Sequence, residues 1–305
     1  MKFFLRFALV LIAVGFWAGC STDDNARRII EQNTALGRLG MLAYMDSDSM
    51  IKLGTIDKHY VIKSHDGVDL DVWVIFSKKR EYETVKGTVF LLHGFEDCKG
   101  RMLGLGETLA RDGYDVVLND MRAHGMSGGK YVTFGAIEKH DVRTIADYLL
   151  NEKVIEEPLY AMGFSMGAAT AVLYAADDPR CKAVIAIAPY SDARTVLHHH
   201  SAYLNDEQFA AAWARAGEIA GFAPEDANVL AAARKLKCPL LVVHGRLDGI
   251  VPYEQGVAVY EAAGGKKELK TVDIATHLSI VALGDDWFAE QLDNLTGHTP
   301  PDGEK

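Results

Sequence analysis

Residues 161–167 read AMGFSMG, which places Ser165 between Gly163 and Gly167. An apolar run, PLYAM (158–162), precedes the stretch, and an Ala-rich run, AATAVLYAA (168–176), follows it. Two readings compete. The stretch is either an ordinary strand-to-helix turn that contains a serine, or a sharp elbow that holds a nucleophilic hydroxyl clear of the backbone. In such an elbow the residues two before and two after the serine must be small, and Gly163 and Gly167 satisfy that. Partners elsewhere in the chain must decide.

The surrounding pattern defines the fold. Short apolar runs recur at 87–94, 114–120, 158–163, 183–189, 239–245 and 269–274, with helix-like segments at 99–112, 136–151, 165–177, 253–263 and 285–295 between them. Continuous apolar strands separated by helices predict a parallel sheet buried on both faces. Ahead of them, HYVIKSH (59–65) and DLDVWVIF (69–76) alternate around Asp66-Gly67, which predicts a hairpin. The expected architecture is an eight-stranded, mostly parallel α/β sheet with helices on both faces. Residues 190–237 carry no strand signal, and their Ala-rich stretches break at Gly221 and Pro224, so they are expected to form a small helical cap. The domain is expected over 57–298, with a helical connector at 21–56 and a polar tail at 299–305.

With 305 residues and 49% hydrophobic content, the chain can bury one large core. A net charge of −10 leaves no basic excess to displace counterions from phosphates, which argues against a nucleic-acid partner.

Open parallel sheets place ligands at the carboxyl ends of their strands, and reactive residues gather there. A serine hydroxyl needs a base, and the base needs an orienting carboxylate. Asp248 follows PLLVVHGRL and His277 follows LKTVDIAT, so both stand just past strand ends in the order Ser165, Asp248, His277. Among competing acids, Asp273 is expected inside the last strand, and Asp285 and Asp286 lie beyond His277. Asp120 ends its own strand and is a minor alternative. The amides of Met166 and Phe95 are the candidate donors to a developing oxyanion. His93 and His244 read as structural residues of their loops. The triplet His198-His199-His200 cannot converge on one ion, because successive helical residues point about 100° apart. No metal or organic cofactor is called for.

The set HGFED, DMRAHGMSGG, GFSMG, HGRLDGIVP and ATHLSI, spread over residues 58–295, resembles the α/β-hydrolase superfamily. More narrowly it resembles the serine aminopeptidase-like, or hydrolase-4, branch, which includes monoacylglycerol lipase-like and bem46-like esterases. The resemblance implies acyl transfer by a serine nucleophile, with a small-molecule carboxylic ester as leading substrate. It leaves open a peptidase or amidase of the serine aminopeptidase type. A non-catalytic surface protein that keeps the fold for binding is a further alternative. The loop Asp120, Arg122, His124, Gly125, Ser127 is, by the same resemblance, mostly a structural turn beside the site.

The first residues belong to another class of signal. Lys2 and Arg6 precede an uncharged apolar run at 7–19, too short for a spanning helix of about 20 residues and suited to a signal peptide. The run ends in Trp-Ala-Gly-Cys at Cys20, which resembles the lipobox of bacterial lipoproteins, although Trp17 stands where an aliphatic residue is usual. Export with a lipid anchor on Cys20 is the expectation; an uncleaved anchor and cleavage without lipid remain alternatives. In an oxidising compartment Cys181 and Cys238, each ahead of an apolar strand, are candidates for a disulfide.

Overall fold

The structure is a computed structural model that describes residues 21–31 and 46–298. The signal segment with Cys20, residues 32–45 of the connector and the polar tail lie outside the described residues. Eight strands form one sheet: β1 (Lys58–Lys63), β2 (Asp69–Ile75), β3 (Thr88–Leu92), β4 (Asp115–Asn119), β5 (Leu159–Phe164), β6 (Cys181–Ile187), β7 (Leu240–Gly245) and β8 (Lys267–Val272). Their spatial order is β1-β2-β4-β3-β5-β6-β7-β8, with β2 antiparallel to both neighbours and every pair from β4 to β8 parallel. This is the mostly parallel α/β sheet that the alternation of runs and helices predicts.

Period-two alternation splits the buried strands between two cores. Phe90 and Leu92 of β3 join one cluster, while Val89 and Leu91 join the other. On the first face lie α4 (Glu138–Asn151) and α5 (Met166–Asp177). On the second lie α2 (Ser47–Lys52), α3 (Leu103–Asp112) and α10 (Asp285–Thr296). Helices therefore cover both faces, which is why the central strands are apolar throughout.

Between β6 and β7 the chain forms α6 (Ala193–His200), α7 (Asp206–Ala220) and α8 (Val229–Lys235). Gly221 caps α7 at φ +74, a conformation that favours glycine, and Pro224 opens the next short turn. The helix α1 (Thr22–Ile30) packs along α7, burying Ala26, Ile29 and Ile30, while Asp23 pairs with Arg215 at 2.7 Å. The described part of the connector is thus built into the core. One expectation is corrected: β8 ends at Val272, so Asp273 lies outside it, exposed, with its carboxylate 2.9 Å from Arg246. The strand begins two residues earlier than its apolar pattern suggests, because an edge strand needs only ladder bonds to β7 on one side.

Candidate active site

The turn after β5 is the elbow. Ser165 sits at φ 54, ψ −113, and its amide donates to Ile187 O at 2.8 Å, fixing the turn to β6. A side chain at Gly163 would place Cβ 2.2 Å from Gly167 O, and one at Gly167 would meet Leu92 O at 2.1 Å. The glycines are required by backbone contact. Gly167→Ala would ordinarily gain up to about 1 kcal/mol in a helix. Here the opposing atom is a strand carbonyl that cannot rotate away, so a net loss of about 2–4 kcal/mol is expected, read as a lowered urea midpoint.

Two loops deliver the other partners. Gly245 ends β7, and a Cβ there would lie 2.3 Å from Ala275 O, so only glycine lets the loop after β8 rest on the end of β7. Leu247 N donates to Ala275 O at 3.0 Å, stitching the loops together. As a result His277 Nδ1 stands 2.6 Å from Asp248 Oδ2, and His277 Nε2 stands 3.0 Å from Ser165 Oγ. Asp248 and His277 are buried and Ser165 is half-buried.

Asp248 is surrounded by donors. Its Oδ1 accepts from Ile250 N at 2.9 Å and Val251 N at 2.8 Å. Its Oδ2 also faces His244 Nε2 at 3.3 Å. Burial alone would raise its pKa, but the bonds from His244 and His277 outweigh that and hold the carboxyl well below the usual range. His244 is therefore more than a loop residue. Its Nε2–H also points at Val251 O, 3.0 Å away, while its Nδ1 has no partner among the described residues. Gly256 of α9 (Tyr253–Ala262) makes room for the ring, since a Cβ there would fall 2.1 Å from Nδ1. Spacing alone could not assign His244 to Asp248; the signal available was its place four residues before the acid.

Phe95 follows β3 on the loop opened by Gly94, and Met166 opens α5 directly after Ser165. Neither amide meets an acceptor among the described residues. The N-terminus of α5 adds a partial positive potential at the same place. His93 uses both ring nitrogens, Nδ1 toward Gly94 O at 2.8 Å and Nε2 accepting from Met121 N at 3.0 Å, so it ties two loops together.

The remaining candidates are engaged elsewhere. Asp120 accepts from buried Lys99, whose ammonium also meets Asp71 at 2.7 Å. Arg122 bridges Asp66 and Asp141. These two carboxylates and His65 lie within ligand range of one another, yet the Arg122 guanidinium already pairs with both carboxylates. Gly125 is held at φ +49 against the Asp120 carboxyl. His124 donates from Nδ1 to Arg122 O, and burial pushes its pKa down to about 3. The cap histidines diverge: His198 stacks on Phe209, and His200 reaches Ile250 O at 2.8 Å. Trp213 of the cap packs between Phe134 and Phe222. Cys181 and Cys238 are buried free thiols in contact, and the hydrogen bond with Cys238, with burial, raises the Cys181 pKa.

The sheet order and the elbow define an α/β-hydrolase fold. The sequence profile of the family described as serine aminopeptidase, S33, matches residues 83–214. The chain is 27% identical to the uncharacterized protein YqkD of Bacillus subtilis, over 75% of this chain and 80% of that one. It is 31% identical to a monoglyceride lipase homolog of monkeypox virus over a shorter span, 36% of this chain and 41% of that one. Among solved structures, the Pyrococcus furiosus esterase Pf2001 superposes with a TM-score of 0.64 at 24% identity, covering 81% of this chain and 95% of that one. Est1E of Butyrivibrio proteoclasticus, solved with ferulic acid bound, superposes with a TM-score of 0.57 at 20% identity, covering 76% and 98%.

Proposed function

We propose that the protein is a serine hydrolase that cleaves carboxylic esters through an acyl-enzyme, with Ser165 as nucleophile, His277 as base and Asp248 as its orienting acid. The observation that carries this reading is the chain Oγ to Nε2 at 3.0 Å and Nδ1 to Oδ2 at 2.6 Å, set beside the Phe95 and Met166 amides, which meet no acceptor among the described residues. Asp248 holds the proton on Nδ1, leaving the Nε2 lone pair toward Ser165. As Oγ bonds to the acyl carbon, its proton passes to Nε2 and the carbonyl electrons move onto oxygen. The Phe95 and Met166 amides donate to that oxyanion. Collapse returns the electrons to the carbonyl and expels the alkoxide, which takes the proton from Nε2. Water then enters by the same route and releases the acid, restoring Ser165.

Esters are favoured over amides because an alkoxide departs with less assistance than an amine, and two of the similar structures are esterases. The family profile's description as a serine aminopeptidase supports amide cleavage as the second reading. A panel of p-nitrophenyl esters of graded chain length, run beside an aminoacyl anilide, decides between them. Anilide turnover exceeding ester turnover would promote the peptidase. Failure of a fluorophosphonate to label Ser165 in folded protein would leave a binding module.

His244 acts as a positioning residue in this scheme. His244→Phe is expected to lower kcat roughly tenfold with little change in KM, because the carboxylate loses one of its donors without any contact to substrate being altered. A fall in KM-linked binding alone would contradict that role. Export with a diacyl anchor on Cys20 accompanies the proposal, and incorporation of labelled palmitate, lost in Cys20→Ala, is its test.

A further inference from the structure

Two thiols meet at the amino ends of β6 and β7, the edge of the sheet opposite the catalytic residues. Cys181 opens β6, and Cys238 stands two residues ahead of β7. The strands are hydrogen-bonded neighbours, with Val184 opposite Leu240 and Val184 N donating to Pro239 O at 3.0 Å. Both cysteines turn into the same core cluster, where their side chains share a hydrogen bond. A disulfide demands Cα atoms within roughly 7 Å of each other and Cβ atoms that face one another. Neighbouring strands with both side chains on one face supply that arrangement.

The two thiols are not equivalent. Cys181 is 3% exposed and Cys238 9%, and Cys238 follows the exposed Lys237. The hydrogen bond with Cys181 holds the Cys238 thiol below its ordinary pKa against the effect of burial, and the Lys182 ammonium adds to this. The same bond and burial push Cys181 up. Cys238 is therefore the thiol that ionises first and meets reagents, and Cys181 stands behind it as the resolving partner. Cys98 shares neither role. It lies on the loop after β3, and burial with the charges of Asp120 and Asp97 pushes its pKa up to about 11.

We propose that Cys181 and Cys238 are a covalent modification site, at which a small organic disulfide generates an intramolecular disulfide that ties the foot of β6 to the foot of β7. The Cys238 thiolate attacks one sulfur of the reagent, forming a mixed disulfide and releasing a thiolate, which takes up the Cys238 proton. The Cys181 sulfur then attacks Cys238 Sγ, the new S–S bond forms, and the second thiolate departs and takes up the Cys181 proton. Two protein thiols are oxidised, and one reagent disulfide is reduced to two thiols. The closed loop contains β6 and the three helices that follow it, α6, α7 and α8. Cross-linking so long a loop removes conformational freedom from the unfolded chain, while a pair already in contact takes on little strain.

The test uses the full reduced chain, treated with 2-hydroxyethyl disulfide at about pH 8 without denaturant. After digestion with trypsin, the peptides that begin at Cys181 and at Cys238 should be joined, two hydrogens lighter than the separate pair. Cys98 should remain open to alkylation once the chain is unfolded. The urea midpoint of the joined protein should rise by roughly 1 M, and the rise should vanish in Cys238→Ser and in Cys181→Ala. The peptide readout needs no substitution, so a variant that fails to fold leaves it standing. An unjoined pair after the reagent has equilibrated would overturn the proposal. So would a mixed disulfide that persists on Cys238, or chains joined to one another through either cysteine. A joined pair with an unmoved urea midpoint would remove the tie between the strand feet as a stabilising device.

Discussion

Ser165→Ala is expected to lower kcat for a carboxylic ester by on the order of 10⁵-fold or more, with the fold intact and labelling by a fluorophosphonate abolished. The substitution is clean for a structural reason. Apart from its bond to His277, the Ser165 side chain holds nothing together, and the turn is fixed by its backbone amide on Ile187 O. Alanine keeps the Cβ, so it inherits the same positive φ and adds no new contact. Ser165→Gly extends the test. At φ 54 a non-glycine residue carries strain of about 1 kcal/mol, which glycine would relieve. The glycine variant should therefore be as inactive as alanine and slightly more resistant to urea. A stabilised, inactive protein is the signature of strain held at a working position. Ester turnover by the alanine variant at the unsubstituted rate would remove Ser165 from the reaction.

Much of this site is legible in the sequence, and the reasons are physical. Gly163 and Gly167 announce the elbow because close backbone approach leaves no other residue type. Asp248 and His277 follow strand ends, the edge at which open parallel sheets place their ligands. The less legible parts depend on contacts between distant segments. Nothing in the spacing of Lys99, Asp71 and Asp120 reveals that one buried ammonium serves both carboxylates. His244 reads as punctuation at a strand end, and only the fold turns its Nε2 toward Asp248 and Val251. The helix α1 reads as a polar connector because its buried stripe of Ala26, Ile29 and Ile30 is narrow, and only its packing on α7 explains it. At β8 a charged edge strand carries little apolar signal, which is why its pattern runs past the true end and takes in Asp273.

Asp248→Asn is expected to lower kcat about 10⁴-fold while leaving Ser165, His277 and the sheet in place. The argument is one of counting donors. Both oxygens of Asp248 accept: Oδ1 from the Ile250 and Val251 amides, Oδ2 from His277 Nδ1 and in part from His244 Nε2. Asparagine keeps only one acceptor oxygen. The two backbone amides cannot reverse, so that oxygen stays with them and the NH2 group turns toward the imidazoles. His277 must then accept at Nδ1, which puts its proton on Nε2, facing Ser165. In that tautomer it cannot take the serine proton. The pH dependence follows from the depressed pKa of Asp248. A carboxyl held below its unfolded value contributes stability above that unfolded value, about pH 4, and loses it as pH falls toward the folded value. The stability difference between the unsubstituted protein and the Asp248→Asn variant should therefore be constant from about pH 5 to 8 and shrink in stronger acid, measured by urea unfolding at each pH. A difference that instead grows as pH is lowered through this range would show that Asp248 is held as the protonated acid, and the tautomer argument would fall with it.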